Sequence, residues 1–67
     1  MKEFVVKEDK AFRLRVKQWR CKRPENMFAL EFVQECLNEE GSVDFSSTYQ
    51  FFMTEEEIET LCKGLLK

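Results

Sequence analysis

Residues 27–53 read MFALEFVQECLNEEGSVDFSSTYQFFM. Two runs of alternating side chains flank a polar segment, and alternation with a period of two predicts strands that turn one face towards a core. We predict strands over residues 27–37 and 43–53, joined by a hairpin turn at residues 38–41, in which Gly41 tolerates a positive φ. The apolar side chains that would share the core face are Phe28, Leu30, Phe32, Cys36, Val43, Phe45, Tyr49 and Phe51.

The preceding segment, residues 11–22, predicts a strand with one charged face. Apolar residues at 12, 14 and 16 alternate with cations at 13, 15 and 17, as expected for a strand with one wetted side. The alternation breaks at Gln18. Either a bulge near Gln18 turns Trp19 into the core, or Trp19 lies on the charged side. A shorter strand is expected over residues 3–7, with polar turns at 8–10 and 23–26.

A helix is predicted at the C-terminus. Thr54 is a favourable N-cap, and Glu57 three residues later completes a capping box. Gly64 either ends the helix early or is carried within it at a cost of about 1 kcal/mol. The residues spaced to form a single apolar stripe are Ile58, Leu61, Cys62, Leu65 and Leu66. The predicted fold class is therefore α+β: a four-stranded antiparallel meander with one C-terminal helix packed on one face, in the order ββββα, as a single domain over residues 1–67.

A strand register follows from placing all core candidates on one side. In the last hairpin, Cys36 would lie opposite Val43, Leu30 opposite Tyr49 and Phe28 opposite Phe51, and in the middle hairpin Leu14 would lie opposite Cys36 and Cys21 opposite Ala29. A slip of one residue would turn a whole set of apolar side chains into water. On the opposite face this register puts Arg15 against Glu35, Trp19 against Glu31 and Asp44 against Glu35.

The composition limits the class of protein. Sixty-seven residues make one domain with a small core, no stretch has the apolar length of a signal peptide or of a membrane span, and we expect a cytoplasmic protein that does not bind membranes. The three cysteines, Cys21, Cys36 and Cys62, are too few and too far apart for a paired framework or a ligand knuckle. We expect them to be reduced thiols that pack as small side chains.

Catalysis is not expected. The chain has no histidine, which removes the usual general base and the Ser–His and Cys–His nucleophile arrangements. The neighbouring carboxylates have structural explanations: pairing with the basic strand for Glu31 and Glu35, solvation of a turn for Glu39 and Glu40, and capping for the Glu55–Glu57 run. Two isolated glycines cannot form a phosphate-binding loop. We predict a non-enzyme with no cofactor and no metal ion.

Binding to another protein, or to a second copy of the chain, is the expected function, in the manner of a small regulator or inhibitor. The helix-free face of the sheet would mix apolar groups with paired charges, and such faces are usually covered or used. Two candidate contact residues have alternative positions. Trp19 would pack in the core if a bulge occurs at Gln18, and Phe52 would pack beneath the start of the helix if the strand end is covered. The predicted partner-binding residues are Arg13, Arg15, Lys17, Trp19, Val33 and Phe52.

Single-stranded nucleic acid is the alternative partner. Residues 1–23 carry nine Lys and Arg against three acids, although the net charge of the whole chain is −2. Cations beside an exposed aromatic ring are how sheet surfaces hold phosphates and stack bases, so the basic strand 12–23 with Trp19 is the candidate site. The ββββα order, the length and residues 49–66, where a final strand leads into a capped, acid-rich helix, resemble the single-strand-binding domain of the eukaryotic coactivator family and its bacterial relatives. The resemblance implies binding of single strands.

Overall fold

The computed structural model describes all residues, 1–67, and confirms the ββββα order. Four antiparallel strands form one sheet in the order β1-β2-β3-β4, so each strand pairs with its neighbours in the sequence. A single helix follows the last strand. The elements are β1 (Lys2–Glu8), β2 (Phe12–Arg20), β3 (Met27–Leu37), β4 (Val43–Thr54) and α1 (Glu55–Leu65).

Side chains of the turn residues satisfy the backbone at two hairpins. Asp9 accepts hydrogen bonds from the amides of Ala11 (2.9 Å) and Phe12 (2.8 Å), which closes the β1–β2 turn. Asn38 accepts from the amides of Glu40 (2.9 Å) and Ser42 (3.0 Å) in the β3–β4 turn. Short polar side chains that bond to the backbone two to four residues ahead stabilise turns at these positions. Gly41 takes a positive φ of 84°, as the sequence predicts.

The predicted register is wrong by two residues in both long hairpins. Cys36 lies opposite Phe12 and Phe45 rather than opposite Leu14 and Val43, and Leu30 lies opposite Phe51 rather than Tyr49. In the β2–β3 hairpin the Cys21 amide bonds to the carbonyl of Met27 (2.9 Å), so Cys21 faces Met27 and not Ala29, two residues from its predicted partner. In the β3–β4 hairpin, Leu37 pairs with Val43 and Cys36 pairs with Phe45. Asp44 is therefore an extra residue in β4 that has no partner in the ladder.

Trp19 lies on the charged side of the sheet. The β2–β3 register runs without a shift through Gln18, which pairs with Leu30, and Trp19 pairs with Ala29. The bulge that the sequence allowed at Gln18 occurs instead in β1, between Val5 and Lys7. Because a regular ladder alternates the two faces, Trp19 shares its face with Lys17 and not with Leu14 and Val16, the apolar residues of the same strand.

The helix begins as predicted but covers less of the sheet than expected. The capping box is complete: the Glu57 amide bonds to Thr54 Oγ1 (3.2 Å) and the Thr54 amide to Glu57 Oε1 (2.8 Å). The helix continues through Gly64 and packs chiefly against β4, and no residue of it is buried. No loop separates Thr54 from Glu55, and Ile58 is the one helix residue that is half-buried. At 11 residues, α1 is too short to cross a bilayer.

The buried core is small and lies in the middle of the sheet. Only Val16, Ala29, Leu30 and Val33 are buried apolar residues, and Glu35 is the one buried polar residue. The accessible surface is 5595 Å². A compact protein of this mass would expose about 4,500 Å². About 1,100 Å² of additional surface is therefore open, because the sheet has no second layer on either side.

Candidate interaction surfaces

One face of the sheet, which we call the aromatic face, is lined with large apolar side chains. The register brings together Phe4, Phe12, Leu14, Val16, Phe28, Leu30, Phe32, Phe45, Tyr49 and Phe51. Phe32 and Phe51 pack edge to face, with ring centroids 6.1 Å apart. Tyr49 is 57 % exposed and Phe45 is 60 % exposed. The sequence predicts Phe45, Tyr49 and Phe51 as core, and in the structure they are exposed, while Val16 and Leu30 of the same face are buried.

Every charged residue that the ladder places on the aromatic face is a cation. Lys2 pairs with Gln18, Lys7 with Leu14, and Arg20 with Phe28. The guanidinium carbon of Arg20 lies 5.1 Å from the centroid of the Phe28 ring, within cation–π distance. No acidic residue of the strands is paired into this face. The aromatic face is therefore apolar in its centre and positively charged at its margins.

The other face of the sheet, which we call the charged face, is organised by Glu35. Its Oε1 atom accepts hydrogen bonds from Nε of Arg13 (2.8 Å) and Nε of Arg15 (3.0 Å). Arg15 also donates from Nη1 to Glu3 (2.9 Å). The bond from Arg13 lowers the pKa of Glu35 below its ordinary value and raises the pKa of the Arg13 guanidinium. The four groups form a continuous ion-pair network across β1, β2 and β3.

The predicted pairing on this face is partly correct. Arg13, and not Arg15, lies directly opposite Glu35, but the Arg15 guanidinium reaches the same carboxylate from two residues away. Trp19 lies opposite Ala29 instead of Glu31, and Glu31 lies opposite Lys17. The predicted repulsion between Asp44 and Glu35 does not exist, because Ser46 occupies the position opposite Glu35.

All six predicted partner-binding residues lie on the charged face, but they differ in how accessible they are. Val33 is buried, at 6 % exposure, and is part of the core. Arg13 and Arg15 are half-buried and held by Glu35. Lys17 is half-buried and forms no salt bridge. Trp19 is half-buried and Phe52 is 57 % exposed, and the two flank the fully buried Ala29.

A shallow cleft lies at the end of the sheet where α1 begins. It encloses about 340 Å³, and Ile58 is the one residue of the helix stripe that is half-buried beside it. Its lining residues are Met1, Lys2, Gln18, Trp19, Arg20, Phe28, Glu55 and Ile58. The three cysteines are free thiols, and nowhere in residues 1–67 do three side chains of metal-ligating types come together. The cleft offers a mixture of aromatic and charged groups and no convergent set of titratable side chains.

No protein-family model matches the chain, and no curated protein or solved structure is detectably similar to it. The resemblance to the coactivator family therefore rests on element order, length and residues 49–66. The contacts above are the basis for any functional argument.

Two features of the sequence indicate that one helix cannot cover the aromatic face, and the fold prediction took neither into account. Twelve apolar side chains line that face when Cys36 and Met53 are included, whereas the helix stripe offers five. Strand β4 also runs into α1 with no connecting residues. A single short helix joined without a loop cannot supply a full second layer for four strands.

Proposed function

We propose that this protein is a protein–protein interaction module whose contact surface is the aromatic face. The observation that carries the proposal is the exposure of the aromatic rings there, Tyr49 and Phe45 above all. Contiguous apolar patches larger than a few hundred Å² are rare on isolated proteins and typically mark sites of association. Burying apolar surface gains about 25 cal/mol per Å², so covering this face stabilises the covered form strongly.

The aromatic face is favoured over the charged face because of how the charges are placed. On the charged face, Arg13 and Arg15 already bond to Glu35, and Val33 is buried. A partner there would have to compete with existing ion pairs for these cations, and the gain from exposed ion pairs is small. Lys17, Trp19 and Phe52 remain accessible on that face and define the competing contact surface.

Three variants distinguish the two surfaces in a capture experiment. Tyr49→Lys places a charge in the aromatic face, Gln50→Lys places the same charge on the same strand but on the opposite face, and Trp19→Ala removes the ring from the charged face. We expect the immobilised wild-type chain and Gln50→Lys to retain the same proteins from a cell lysate, and Tyr49→Lys to lose them. Mass spectrometry of the retained proteins is the measurement.

Two results of this experiment would contradict the proposal. If Trp19→Ala loses the retained proteins while Tyr49→Lys keeps them, the contact surface is the charged face. If all three variants retain what the wild type retains, neither face mediates association. Circular dichroism of each variant shows whether a loss of capture reflects unfolding. Because Tyr49 and Gln50 are both exposed, we expect both lysine variants to fold.

A second candidate function, binding of single-stranded nucleic acid, is favoured by one observation. The aromatic face carries the cations Lys2, Lys7 and Arg20 and no strand acid, which suits stacked bases and neutralised phosphates. Titration of a fluorescently labelled single-stranded oligonucleotide with the chain at low salt, followed by fluorescence anisotropy, tests it, because the label reports binding on either face. Binding that weakens steeply as salt is added supports this candidate, and no response below about 100 μM excludes it.

A further inference from the structure

Two apolar surfaces of this chain lack a partner, and one belongs to the sheet and the other to the helix. One is the aromatic face. The other is the apolar stripe of α1, in which Leu65 is 75 % exposed and Leu66 is more exposed still. A sheet face and an amphipathic helix are the two layers that normally cover each other in an α+β domain. Each is present here without the other against it.

Within one chain the two surfaces meet only at the start of the helix, where Ile58 lines the same cleft as Phe28. Thr54 is both the last residue of β4 and the N-cap of α1, so the helix leaves the sheet without a connecting loop. Its capping box ties the first turn to the end of the strand through bonds of 2.8 and 3.2 Å. Only Ile58, in the first turn, is half-buried, and the stripe beyond it is exposed.

Charge favours a helix on the aromatic face over two aromatic faces packed together. The charged residues of the aromatic face are Lys2, Lys7 and Arg20, so a face-to-face pair would bring like charges together. The helix carries four glutamates and one lysine. Its flanks are therefore opposite in sign to the margins of the aromatic face, which favours association in that orientation.

The open area is of the size that a stable dimer covers. About 1,100 Å² per chain is exposed beyond what a compact protein of this mass shows. Two chains that covered this area would bury about 2,200 Å² in total, which falls within the range of permanent homodimers. A two-fold interface also covers both surfaces of both chains at once, because the helix of each copy meets the sheet of the other.

We infer that the partner of the aromatic face is a second copy of this chain, which places the apolar stripe of its α1 on that face in a reciprocal, two-fold exchange. This inference rests on the proposed function, because it names the occupant of the same surface. It makes Leu65 and Tyr49 interface residues, although both are exposed in the single chain.

Sedimentation equilibrium of matched variants tests the exchange. The wild type is expected to be a dimer at micromolar concentration. Tyr49→Lys on the sheet and Leu65→Glu on the helix should each weaken the dimer at least about 100-fold, the effect of losing a central apolar contact. The controls Gln50→Lys and Thr60→Glu introduce the same charges on the other face of β4 and the other side of α1, and should leave the dimer intact.

Mixing the two disrupted variants provides the decisive result, and it does not depend on either variant folding alone. A mixed dimer of Tyr49→Lys and Leu65→Glu keeps one helix-on-sheet contact with no substituted residue and has a lysine and a glutamate in the other. We expect the mixture to form dimers where neither variant does. A dimer that Leu65→Glu leaves unchanged, or a mixture that stays monomeric, overturns the exchange.

A monomeric wild type would also overturn the inference. Binding of the dye anilinonaphthalene sulfonate would then show whether the proposed function fails with it. Dye fluorescence that Tyr49→Lys abolishes and Gln50→Lys keeps would show an open aromatic face available to another protein, which leaves the proposed function standing. A monomer that binds no dye would show that the face is covered by its own chain, and both proposals would then fail.

Discussion

Replacement of Leu30 by alanine is expected to lower the free energy of unfolding by about 2–4 kcal/mol. Leu30 is 7 % exposed in the central strand β3 and is one of only four apolar residues that are buried. Its neighbours across the ladder are Gln18 and Phe51, so the lost side chain leaves a gap that the flanking strands cannot close. Because a domain of this length has a few kcal/mol of stability in total, the variant should be largely unfolded at room temperature.

Urea denaturation followed by circular dichroism measures this effect, at one protein concentration for all variants because association contributes to stability. Val5→Ala is the control, since Val5 is exposed in the edge strand β1, and it should cost less than about 1 kcal/mol. If Leu30→Ala unfolds at the same urea concentration as Val5→Ala, the central core does not hold the sheet together.

Glu35→Gln is expected to have the largest destabilising effect of any single substitution of a charge on the sheet. Glutamine keeps the shape of the side chain but leaves the half-buried guanidinium groups of Arg13 and Arg15 without the carboxylate that both contact. Removing one partner of a buried ion pair leaves an uncompensated charge, which is costly. Glu31→Gln is the matched control, because Glu31 lies on the same strand and face, opposite Lys17, and forms no salt bridge.

The thermal midpoint, measured by circular dichroism at about pH 7, should fall further for Glu35→Gln than for Glu31→Gln. Equal midpoints for the two variants would mean that the ion-pair network across β1, β2 and β3 contributes nothing to stability. The comparison does not depend on an absolute energy for the network, because the two substitutions remove the same charge from two positions on the same face of β3.

The effect of Glu35→Gln should also depend on pH. The hydrogen bond from Arg13 holds the pKa of Glu35 below its ordinary value of 4.5, so the folded state binds the proton less readily than the unfolded state. The stabilisation is therefore complete above that ordinary value and is lost as the pH falls through the lowered pKa of the folded state. The pKa of Asp9 is also lowered, by its bond from the Phe12 amide, but both proteins share Asp9.

Urea denaturation of the wild type and Glu35→Gln across the acid range separates these contributions. The difference in stability between the two proteins should be constant near neutral pH and should shrink as the pH falls below the ordinary Glu35 pKa of 4.5. A difference of the same size at both ends of the range would mean that the Glu35 carboxylate does not contribute through its charge.

Alternation of side chains predicted the strands and most of their faces even where the register was wrong. Val43 is the exception: it was predicted on the core face, but it pairs with Leu37 on the charged face because Asp44 is passed over in the ladder. Phe28, Leu30 and Phe32 share one face in the structure, as expected, although each pairs two residues away from its predicted partner on β4. A slip of two residues preserves the face of every side chain because the strand period is two. The loop lengths that set the register depend on single contacts, such as the bond from the Cys21 amide to Met27, that carry no periodic signal.

The position of Trp19 could not be decided from alternation, because a bulge at Gln18 and a regular strand fit the residues equally well. The regular pairing of Gln18 with Leu30 resolves it. The role of Glu35 was only partly foreseeable. Its pairing with a cation of β2 follows from facing strands of opposite charge, but its contact with two arginines at once requires their guanidinium groups to converge on one carboxylate oxygen.

Local pattern was sufficient for the strand and helix types, the capping box at Thr54 and the separation of apolar from charged side chains, because each of these depends on residues a few positions apart. Whether the helix covers the apolar side chains of the sheet is not a local property of the sequence. It depends on where the helix packs in the tertiary structure, and α1 packs chiefly against β4 with none of its residues buried. The same aromatic residues that the pattern assigns to a core therefore lie on an open face, because one helix of 11 residues that packs chiefly against β4 does not cover four strands.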